Sequence, residues 1–257
     1  MRAGAEGWLI AVGDTADGVW DDARCRADLS AMEIRRAERF VRASAAVTYV
    51  RVRSAIRTVL GQALGEAPAR VRIGVAPGGG PVLPDHPDRS VSWSTSAGVL
   101  LVALCRGARI GVDVEAVRPV ESPAKVLRTF YPKAHALGDF REPETFFSAW
   151  TLLEAAVKAT GRGLARGARE VQLYRPVGSD RCALAGIRDA GGVAWSGRTD
   201  RFAVPGSAAE VMTAMVTEGL GLPVRLHTWG VPDAVRRRDA SAASRLPHPV
   251  SGTGAAQ

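Results

Sequence analysis

The alternation of apolar and polar positions predicts helices and strands in mixed order along most of the chain. Residues 29–64 have the clearest helical pattern, and Ser30 followed by Glu33 has the spacing of a capping box at its start. Two further helices are predicted at residues 123–131 and 143–160, because a proline opens each helical pattern, where its missing N–H costs nothing.

Short runs rich in β-branched and aromatic residues predict strands around these helices. The predicted strands are residues 8–12, 71–75, 91–93, 99–105, 109–114, 171–174, 193–196 and 210–216. Strands followed by helices and then by more strands are typical of the α+β class. We expect two halves of similar element content, residues 1–110 and 111–225. The Arg-, Ala-, Ser- and Pro-rich residues 226–257 are expected to form a disordered tail.

Length and composition limit the classes of protein that the chain can belong to. Its 257 residues, 46% of them hydrophobic, are enough for one large domain or two small ones. No apolar run reaches the roughly 18 residues of a membrane span, and the N-terminal residues lack a signal-peptide pattern. Cys25, Cys105 and Cys182 are scattered and odd in number, which indicates neither a disulfide framework nor a metal site. We therefore expect a cytoplasmic protein with no membrane partner.

The net charge of +8 has two interpretations. It can reflect a genomic bias toward arginine, since lysine supplies only three of the 34 basic residues. It can also attract an anionic partner such as a nucleotide, a nucleic acid or an acidic protein. Arg236, Arg237 and Arg238 raise the question of nucleic-acid binding. The chain shows no RNP-type aromatic motif, zinc-finger spacing or recognition helix, and we therefore expect no nucleic-acid partner.

A pair of carboxylates lies on one predicted strand. In Gly111-Val112-Asp113-Val114-Glu115 the valines point to one face and Asp113 and Glu115 to the other. Two negative charges on one face repel each other unless a positive group lies between them. Mg²⁺ is one such group, because it prefers oxygen ligands and often binds one or two carboxylates together with substrate phosphates. A solvated strand edge or a pair held by arginines is the alternative.

A second charged element lies on the helix predicted at residues 143–160. Glu154 and Lys158 are four residues apart and share a helix face. Glu154 could be a third metal ligand or the base that removes a proton from a hydroxyl, and Lys158 could place its charge on a phosphate. The alternative is a surface ion pair worth about 0.3–0.5 kcal/mol. Trp150, one turn before Glu154, is more often a core residue than a cofactor platform.

The acidic strand, the segment Trp150-Thr151-Leu152-Leu153-Glu154-Ala155-Ala156-Val157-Lys158 and the following Gly161-x-Gly163-Leu164 together resemble the signature motifs of the 4′-phosphopantetheinyl transferases. The resemblance covers most of residues 8–220 and points to the monomeric Sfp type, which has two pseudo-symmetric halves. It implies transfer of phosphopantetheine from coenzyme A to a serine of an acyl or peptidyl carrier protein, as in polyketide and nonribosomal peptide biosynthesis. It also implies a Mg²⁺ ion held by Asp113, Glu115 and Glu154, with Glu154, Lys158 and Asp113 as catalytic residues.

The resemblance extends to residues that would bind coenzyme A. Gly79-Gly80-Pro81 and Ser94-Thr95-Ser96-Ala97-Gly98 are similar to two further family elements, and the basic segments 35–40 and 53–60 are similar to the family's N-terminal helices. The implied coenzyme A-binding residues are Arg36, Arg53, Gly80, Thr95, Ser96 and Lys158.

Three positions depart from the family pattern. Gly80 and Leu153 stand where the family has lysines, and Thr95 stands where it has a histidine. Each charge-assisted hydrogen bond lost in this way is worth about 1.5–3 kcal/mol. The chain can therefore be a transferase that uses arginines elsewhere. It can instead be a homologue turned to other natural-product chemistry, of a cyclase or lyase type, or a protein that only binds a carrier protein.

Overall fold

The computed structural model describes residues 4–13, 20–188, 192–204, 207–220 and 222–229. The helices are α1 (Asp22–Ala27), α2 (Ala31–Ala37), α3 (Ala43–Leu64), α4 (Pro123–Phe130), α5 (Pro143–Thr160) and α6 (Leu164–Gly167), with 3-10 turns at Pro68–Arg70 and Pro132–Leu137. The strands are β1 (Ala5–Ala11), β2 (Gly74–Val75), β3 (Pro81–Val82), β4 (Arg89–Ser96), β5 (Val99–Arg106), β6 (Ile110–Val117), β7 (Val171–Tyr174), β8 (Ala183–Ile187), β9 (Trp195–Ala203), β10 (Glu210–Glu218) and β11 (Val224–Trp229). The predicted α+β class is confirmed. In these ranges no helix combines the length and the apolar character needed to cross a bilayer.

The first sheet has the strand order β11-β1-β5-β4 and packs against α3. β4 and β5 form the hairpin expected from the sequence, with Ala97 and Gly98 in the turn. Both turn residues have positive φ, which glycine adopts without strain. The hairpin matters for the site because it fixes the side-chain directions of residues 93–96 at the end of β4.

The second sheet has the order β6-β10-β9 and is covered by α5. Helix α5 keeps the predicted bounds, from Pro143 at its first turn to Gly161, which ends it in the left-handed conformation. Val112 and Val114 of β6 are fully buried in a third apolar cluster, on the face away from α5. The opposite face of β6, with Asp113, is the face that meets α5.

Serine hydroxyls join the two sheets. Ser90 and Ser92 accept hydrogen bonds from the backbone N–H groups of Ile110 and Val112, both at 3.1 Å, and Ser96 accepts one from Ala116 at 3.0 Å. These side chains satisfy β6 N–H groups along the edge that faces β4, which would otherwise be left unpaired. Alternation along β4 thereby assigns its even-numbered side chains to β6 and its odd-numbered ones to the opposite face.

Four predicted elements differ from the structure, and one of them is the strand predicted at residues 193–196, which is β9 at Trp195–Ala203. Residues 29–64 form two helices instead of one, because the chain turns between Ala37 and Ala43 and brings α2 back against α3. The strand predicted at residues 71–75 is limited to Gly74–Val75. Residues 226–229, assigned to the tail, belong to β11, which pairs in parallel with β1 and satisfies its edge. The remaining tail, residues 230–257, lies outside the described residues, and the division into halves at residue 110 stays a prediction.

Candidate functional site

Asp113 and Lys158 form the centre of the candidate site. The Lys158 Nζ donates a hydrogen bond to Asp113 Oδ1 at 2.7 Å, and the Ser94 hydroxyl donates another to the same oxygen at 2.7 Å. The Asp113 side chain is 4% exposed, whereas that of Lys158 is 32% exposed. The lysine therefore covers a buried carboxylate while about a third of its own side chain stays open to solvent.

A glycine brings the strand and the helix close enough for this contact. A Cβ atom on Gly111 would lie 2.0 Å from the Ala155 carbonyl oxygen and 2.4 Å from the Ala159 nitrogen. The backbones of β6 and α5 consequently meet at Gly111, two residues before Asp113. Ala155 and Ala159 are themselves small and fully or nearly fully buried, which leaves room for this approach.

Glu115 and Glu154 complete an acidic cluster around the pair. The Ser96 hydroxyl donates to Glu115 Oε2 at 3.1 Å. Burial raises the pKa of Glu115, and the negative charge of Asp113 raises it further, while Ser96, Arg118 and Lys158 oppose the shift. Burial also raises the pKa of Glu154, with Asp113 and Glu115 adding to the effect and Lys158 opposing it. The three carboxylates therefore feel one another's charge.

Burial makes the ionised form of Asp113 energetically unfavourable. Burial raises its pKa even though Lys158 and Ser94 both stabilise the ionised form. Its second oxygen, Oδ2, is buried and makes no hydrogen bond within the described part of the chain. A buried carboxylate oxygen without a partner is costly, and such atoms call for an explanation.

The donor set suits a hard divalent cation, although the side chains do not yet converge on one point. Among the residues that the structure describes, no group of three His, Cys, Asp or Glu side chains is arranged to hold a metal ion. The cluster nonetheless offers only oxygen donors, which is the chemistry that Mg²⁺ prefers. The bare Oδ2 of Asp113 is the one atom that a cation would satisfy directly.

A second feature is a cleft of about 990 Å³ between α2, α3, the β2–β3 hairpin and β4, which we call the arginine cleft. Its lining includes Arg36, Arg53 and Thr95, three residues that the sequence analysis assigned to coenzyme A. The Arg53 guanidinium lies 5.1 Å from the centroid of Trp93, and the Arg36 guanidinium lies 5.5 Å from that of Tyr49. The cleft thus combines positive charge with aromatic surface.

β4 connects the cleft to the acidic cluster. Trp93 and Thr95 point into the cleft, whereas Ser94 and Ser96 donate to Asp113 and Glu115 on the other face. Ser96 was expected to bind coenzyme A, which stays a prediction, and in the structure its hydroxyl donates to Glu115 of the acidic cluster. Gly80 does not line the cleft, but its neighbours Gly79 and Pro81 do.

The altered helix position is a core residue, and the tryptophan before it is partly buried against the same core. Leu153 is fully buried in the apolar cluster under the second sheet. Trp150 packs against that cluster and stacks on Phe146, with ring centroids 6.0 Å apart and ring planes at 12°. The interpretation of Trp150 as a core residue fits this packing.

Sequence reasoning missed two features of the site. It paired Lys158 with Glu154 as the alternative to a functional role, but the lysine bonds to Asp113, 45 residues away. It also gave Glu33 only a capping role. Glu33 does form the capping box with Ser30, and it pairs with Arg53 and Arg57 as well. The clustering of glutamate with arginines on adjacent helical segments was the available signal, but the pairing depends on how α2 turns back.

Comparison with known proteins gives consistent similarities. Residues 109–203, which include the acidic strand and helix α5, match the family model of the 4′-phosphopantetheinyl transferase superfamily. The chain is 35% identical over 150 residues to the 4′-phosphopantetheinyl transferase HetI of Nostoc sp., covering 54% of this chain and 62% of that protein. It is 30% identical over 112 residues to a 4′-phosphopantetheinyl transferase of Bacillus subtilis, covering 42% of this chain and 50% of that protein. The matches thus span half to about three fifths of these relatives.

Proposed function

We propose, from the premise that residues 109–203 belong to the 4′-phosphopantetheinyl transferase superfamily, that the protein transfers the 4′-phosphopantetheine group of coenzyme A to a serine of an acyl or peptidyl carrier protein. The observation that carries the proposal is the Asp113–Lys158 contact at 2.7 Å, with Glu115 and Glu154 close enough to shift each other's pKa. Carboxylates for a cation and an ammonium group for a phosphate are what phosphoryl transfer requires.

Asp113, Glu115 and Glu154 would hold a Mg²⁺ ion, as the bare Asp113 Oδ2 and the mutual repulsion of the three carboxylates favour. When bound, the ion would neutralise charge on the coenzyme A pyrophosphate. Holding it requires Glu115 and Glu154 to turn toward Asp113, which exposed or half-buried side chains can do by changing rotamer.

Glu154 is suited to accept a proton. Its raised pKa brings it closer to the operating pH than an ordinary glutamate, which favours general-base catalysis. The carrier serine oxygen would then form a bond to the β-phosphorus of coenzyme A. The bond from that phosphorus to the bridging oxygen would break, and 3′,5′-ADP would leave. The serine proton would go to Glu154 directly or through a water molecule.

Lys158 would stabilise the charge that develops during this exchange. Its ammonium group is fixed by Asp113 on one side, yet a third of its side chain is open to solvent. A positioned cation that needs no reorganisation stabilises a transition state more than a mobile one does. The lysine therefore combines a structural contact with a side chain that a substrate could still reach from solvent.

The proposal is tested by the mass of the carrier protein. The protein is incubated with coenzyme A, Mg²⁺ and a panel of apo-carrier proteins, and the carrier is weighed intact. We expect a gain of one phosphopantetheine, which is lost with Glu154→Gln and kept with Glu142→Gln. Glu142 is an exposed residue at the other end of α5 and serves as the matched control.

The altered positions support a second candidate, a homologue that acts on a different natural-product substrate or only binds a carrier protein. Leu153 is sealed in the core and Gly80 has no side chain, so neither can contact a phosphate through a side-chain donor. Coenzyme A binding separates the two candidates. A folded protein that neither binds coenzyme A in calorimetry nor modifies any carrier would support the second candidate.

A further inference from the structure

Five arginines and one carboxylate line the arginine cleft, and the carboxylate is not at its edge. Glu33 is buried, with 7% of its surface exposed. Its Oε2 accepts from the Nε of Arg57 at 2.7 Å, and its Oε1 pairs with Arg53. The glutamate therefore joins the two arginines of α3 that line the cleft.

Arg57 is held in the protein interior by three hydrogen bonds. Besides Glu33, it donates through Nη1 to the carbonyl oxygens of Pro68 and Val71, each at 2.9 Å, and it is 3% exposed. Its guanidinium is committed to the protein interior. Arg57 consequently supports the wall of the cleft and is not a group that a ligand would reach.

Arg53 is partly accessible, and its positive charge is paired with the carboxylate of Glu33. Its side chain is 15% exposed, pairs with Glu33 and stacks on Trp93. Burial alone would raise the pKa of Glu33, but Arg53, the hydrogen bonds from Ser30 and Arg57 together lower it, so Glu33 stays ionised at neutral pH. Glu33 shares its single negative charge between Arg53 and Arg57, so the inner end of the cleft presents an aromatic wall beside a guanidinium whose positive charge is partly offset.

The remaining cations lie at the mouth. Arg35, Arg36 and Arg39 are exposed residues of α2 and its C-terminal turn, and all three line the cleft. They keep their charge toward solvent, where an anion can approach them. The cleft is thus divided into an aromatic interior, where two arginines share one carboxylate, and a mouth whose three arginines face solvent.

We propose that Glu33 sets the ligand selectivity of this cleft: it lowers the positive charge of the interior, which favours a planar, uncharged ring there, and leaves phosphate recognition to the arginines at the mouth. The inference rests on the proposed function for its occupant, the nucleotide end of coenzyme A. A cleft that contains Glu33 should differ in one measurable respect from a cleft in which every arginine is unpaired. A second phosphate on the nucleotide gains little, because its nearest inner cation is already paired with Glu33.

Calorimetry with two nucleotides tests the division directly, without any carrier protein. The wild-type protein is expected to bind adenosine 5′-phosphate and adenosine 3′,5′-bisphosphate with dissociation constants within about threefold of each other. Glu33→Gln frees Arg53, and we expect it to bind the bisphosphate roughly tenfold tighter than the wild type, the worth of one charge-assisted contact.

Three further variants make the result specific. Glu38→Gln removes the same charge from an exposed position at the end of α2 and is expected to leave both affinities as in the wild type. In Glu33→Gln/Arg53→Met the gain for the bisphosphate should disappear. Arg53→Met alone should raise the dissociation constants of both nucleotides by similar factors. The ratio of these two factors tests the role of Glu33 even if Glu33→Gln does not fold.

The outcomes separate this inference from the proposed function. A wild-type preference for the bisphosphate of more than about thirtyfold would overturn the role of Glu33. So would a folded Glu33→Gln protein with unchanged affinities. Transfer assays with coenzyme A and with its 3′-dephospho form address the other question. Equal use of both donors supports the inference, and failure of both refutes the proposed function while the nucleotide affinities still decide the role of Glu33.

Discussion

Lys158 reaches across from helix α5 and donates a hydrogen bond to Asp113 of β6 at 2.7 Å, covering a carboxylate whose side chain is 4% exposed. The contact joins the acidic strand to the charged helix. It also puts the two elements that would handle the cation and the phosphate in one place. Several of the predicted effects on stability and activity depend on this pair.

Replacing Lys158 by methionine should destabilise the protein at neutral pH, because it leaves the buried Asp113 carboxylate without its cation. Since Lys158 is a third exposed, we expect a loss of about 2 kcal/mol, below the 3–5 kcal/mol typical of a wholly buried pair. Urea denaturation at pH 7 and pH 4 measures it. The loss should shrink at pH 4, because the raised pKa of Asp113 favours its protonation as the pH falls.

Lys125→Met is the matched control, since Lys125 is exposed on α4. It should change the free energy of unfolding by less than about 0.5 kcal/mol. The double variant Lys158→Met/Asp113→Asn should regain part of the lost stability. An equal loss in both single lysine variants would contradict the account of Asp113.

Gly111→Ala should disrupt the contact between β6 and α5. The new methyl group would lie 2.0 Å from the Ala155 carbonyl oxygen, a backbone atom that cannot move independently. We expect the free energy of unfolding to fall by about 1–3 kcal/mol or more, as for other overpacked sites. Phosphopantetheine transfer should drop strongly as well. Gly186→Ala in β8 meets no atom within 4 Å and should be tolerated. Thermal denaturation of both variants provides the comparison.

Stability of the metal-free protein should fall as the pH rises from the ordinary carboxyl range toward neutrality. The pKa values of Asp113, Glu115 and Glu154 are raised in the folded state, mainly by burial. In this window the folded protein binds more protons than the unfolded chain, so the free energy of unfolding decreases with pH. Glu154→Gln should make this slope shallower, whereas Glu142→Gln should not. Identical slopes in chemical denaturation would count against a shared acidic cluster.

Mg²⁺ should reverse that loss at neutral pH. A cation that binds only the folded protein stabilises it by about 2.7 kcal/mol at a concentration one hundred times its dissociation constant. We expect the midpoint of thermal unfolding to rise with Mg²⁺ in the wild type and to respond far less in Asp113→Asn. Sodium chloride at equal ionic strength controls for screening. A rise of the same size with sodium chloride would argue against a specific site.

Restoring lysine at the two altered positions should have opposite effects. At Gly80 a new Cβ meets no atom within 4 Å, and the neighbouring residues line the arginine cleft. Gly80→Lys should therefore fold normally and bind adenosine 3′,5′-bisphosphate about fivefold tighter, as one exposed charge contact allows. Gly186→Lys controls for added charge, and a gain of the same size there would contradict a local effect.

Leu153→Lys should instead unfold the protein or lower its midpoint strongly. Leu153 is fully buried in the apolar cluster beneath the second sheet, where an unpaired ammonium group has no partner. Circular dichroism and thermal denaturation suffice to measure this. A stable Leu153→Lys protein would show that the side chain can reach solvent, contrary to the packing of α5.

Local signals in the sequence were enough to predict several elements. Pro143 and Gly161 mark the two ends of α5, and the Ser/Thr/Gly turn marks the β4–β5 hairpin, because caps and turns are encoded within a few residues. Helix α2 was not separated from α3. The turn between them brings Glu33 onto Arg53 and Arg57, and this pairing over 20 to 24 residues has no local signature.

The candidate site shows the same limit. Alternation along β6 correctly predicted that Asp113 and Glu115 share one face of the strand. Helical spacing predicted that Glu154 and Lys158 share one face of α5. Nothing in either pattern fixes how the strand lies on the helix. That depends on Gly111 at the point of closest approach and on the serines of β4, which bond to β6 across the two sheets.

Transfer of phosphopantetheine through the site around Asp113, Glu154 and Lys158 is measured most directly by the intact mass of an apo-carrier protein. With coenzyme A and Mg²⁺ we predict that the carrier gains one phosphopantetheine with the wild-type protein and with Glu142→Gln, but not with Glu154→Gln. An unchanged mass for every carrier, from a folded protein that also shows no heat of coenzyme A binding, would contradict this prediction.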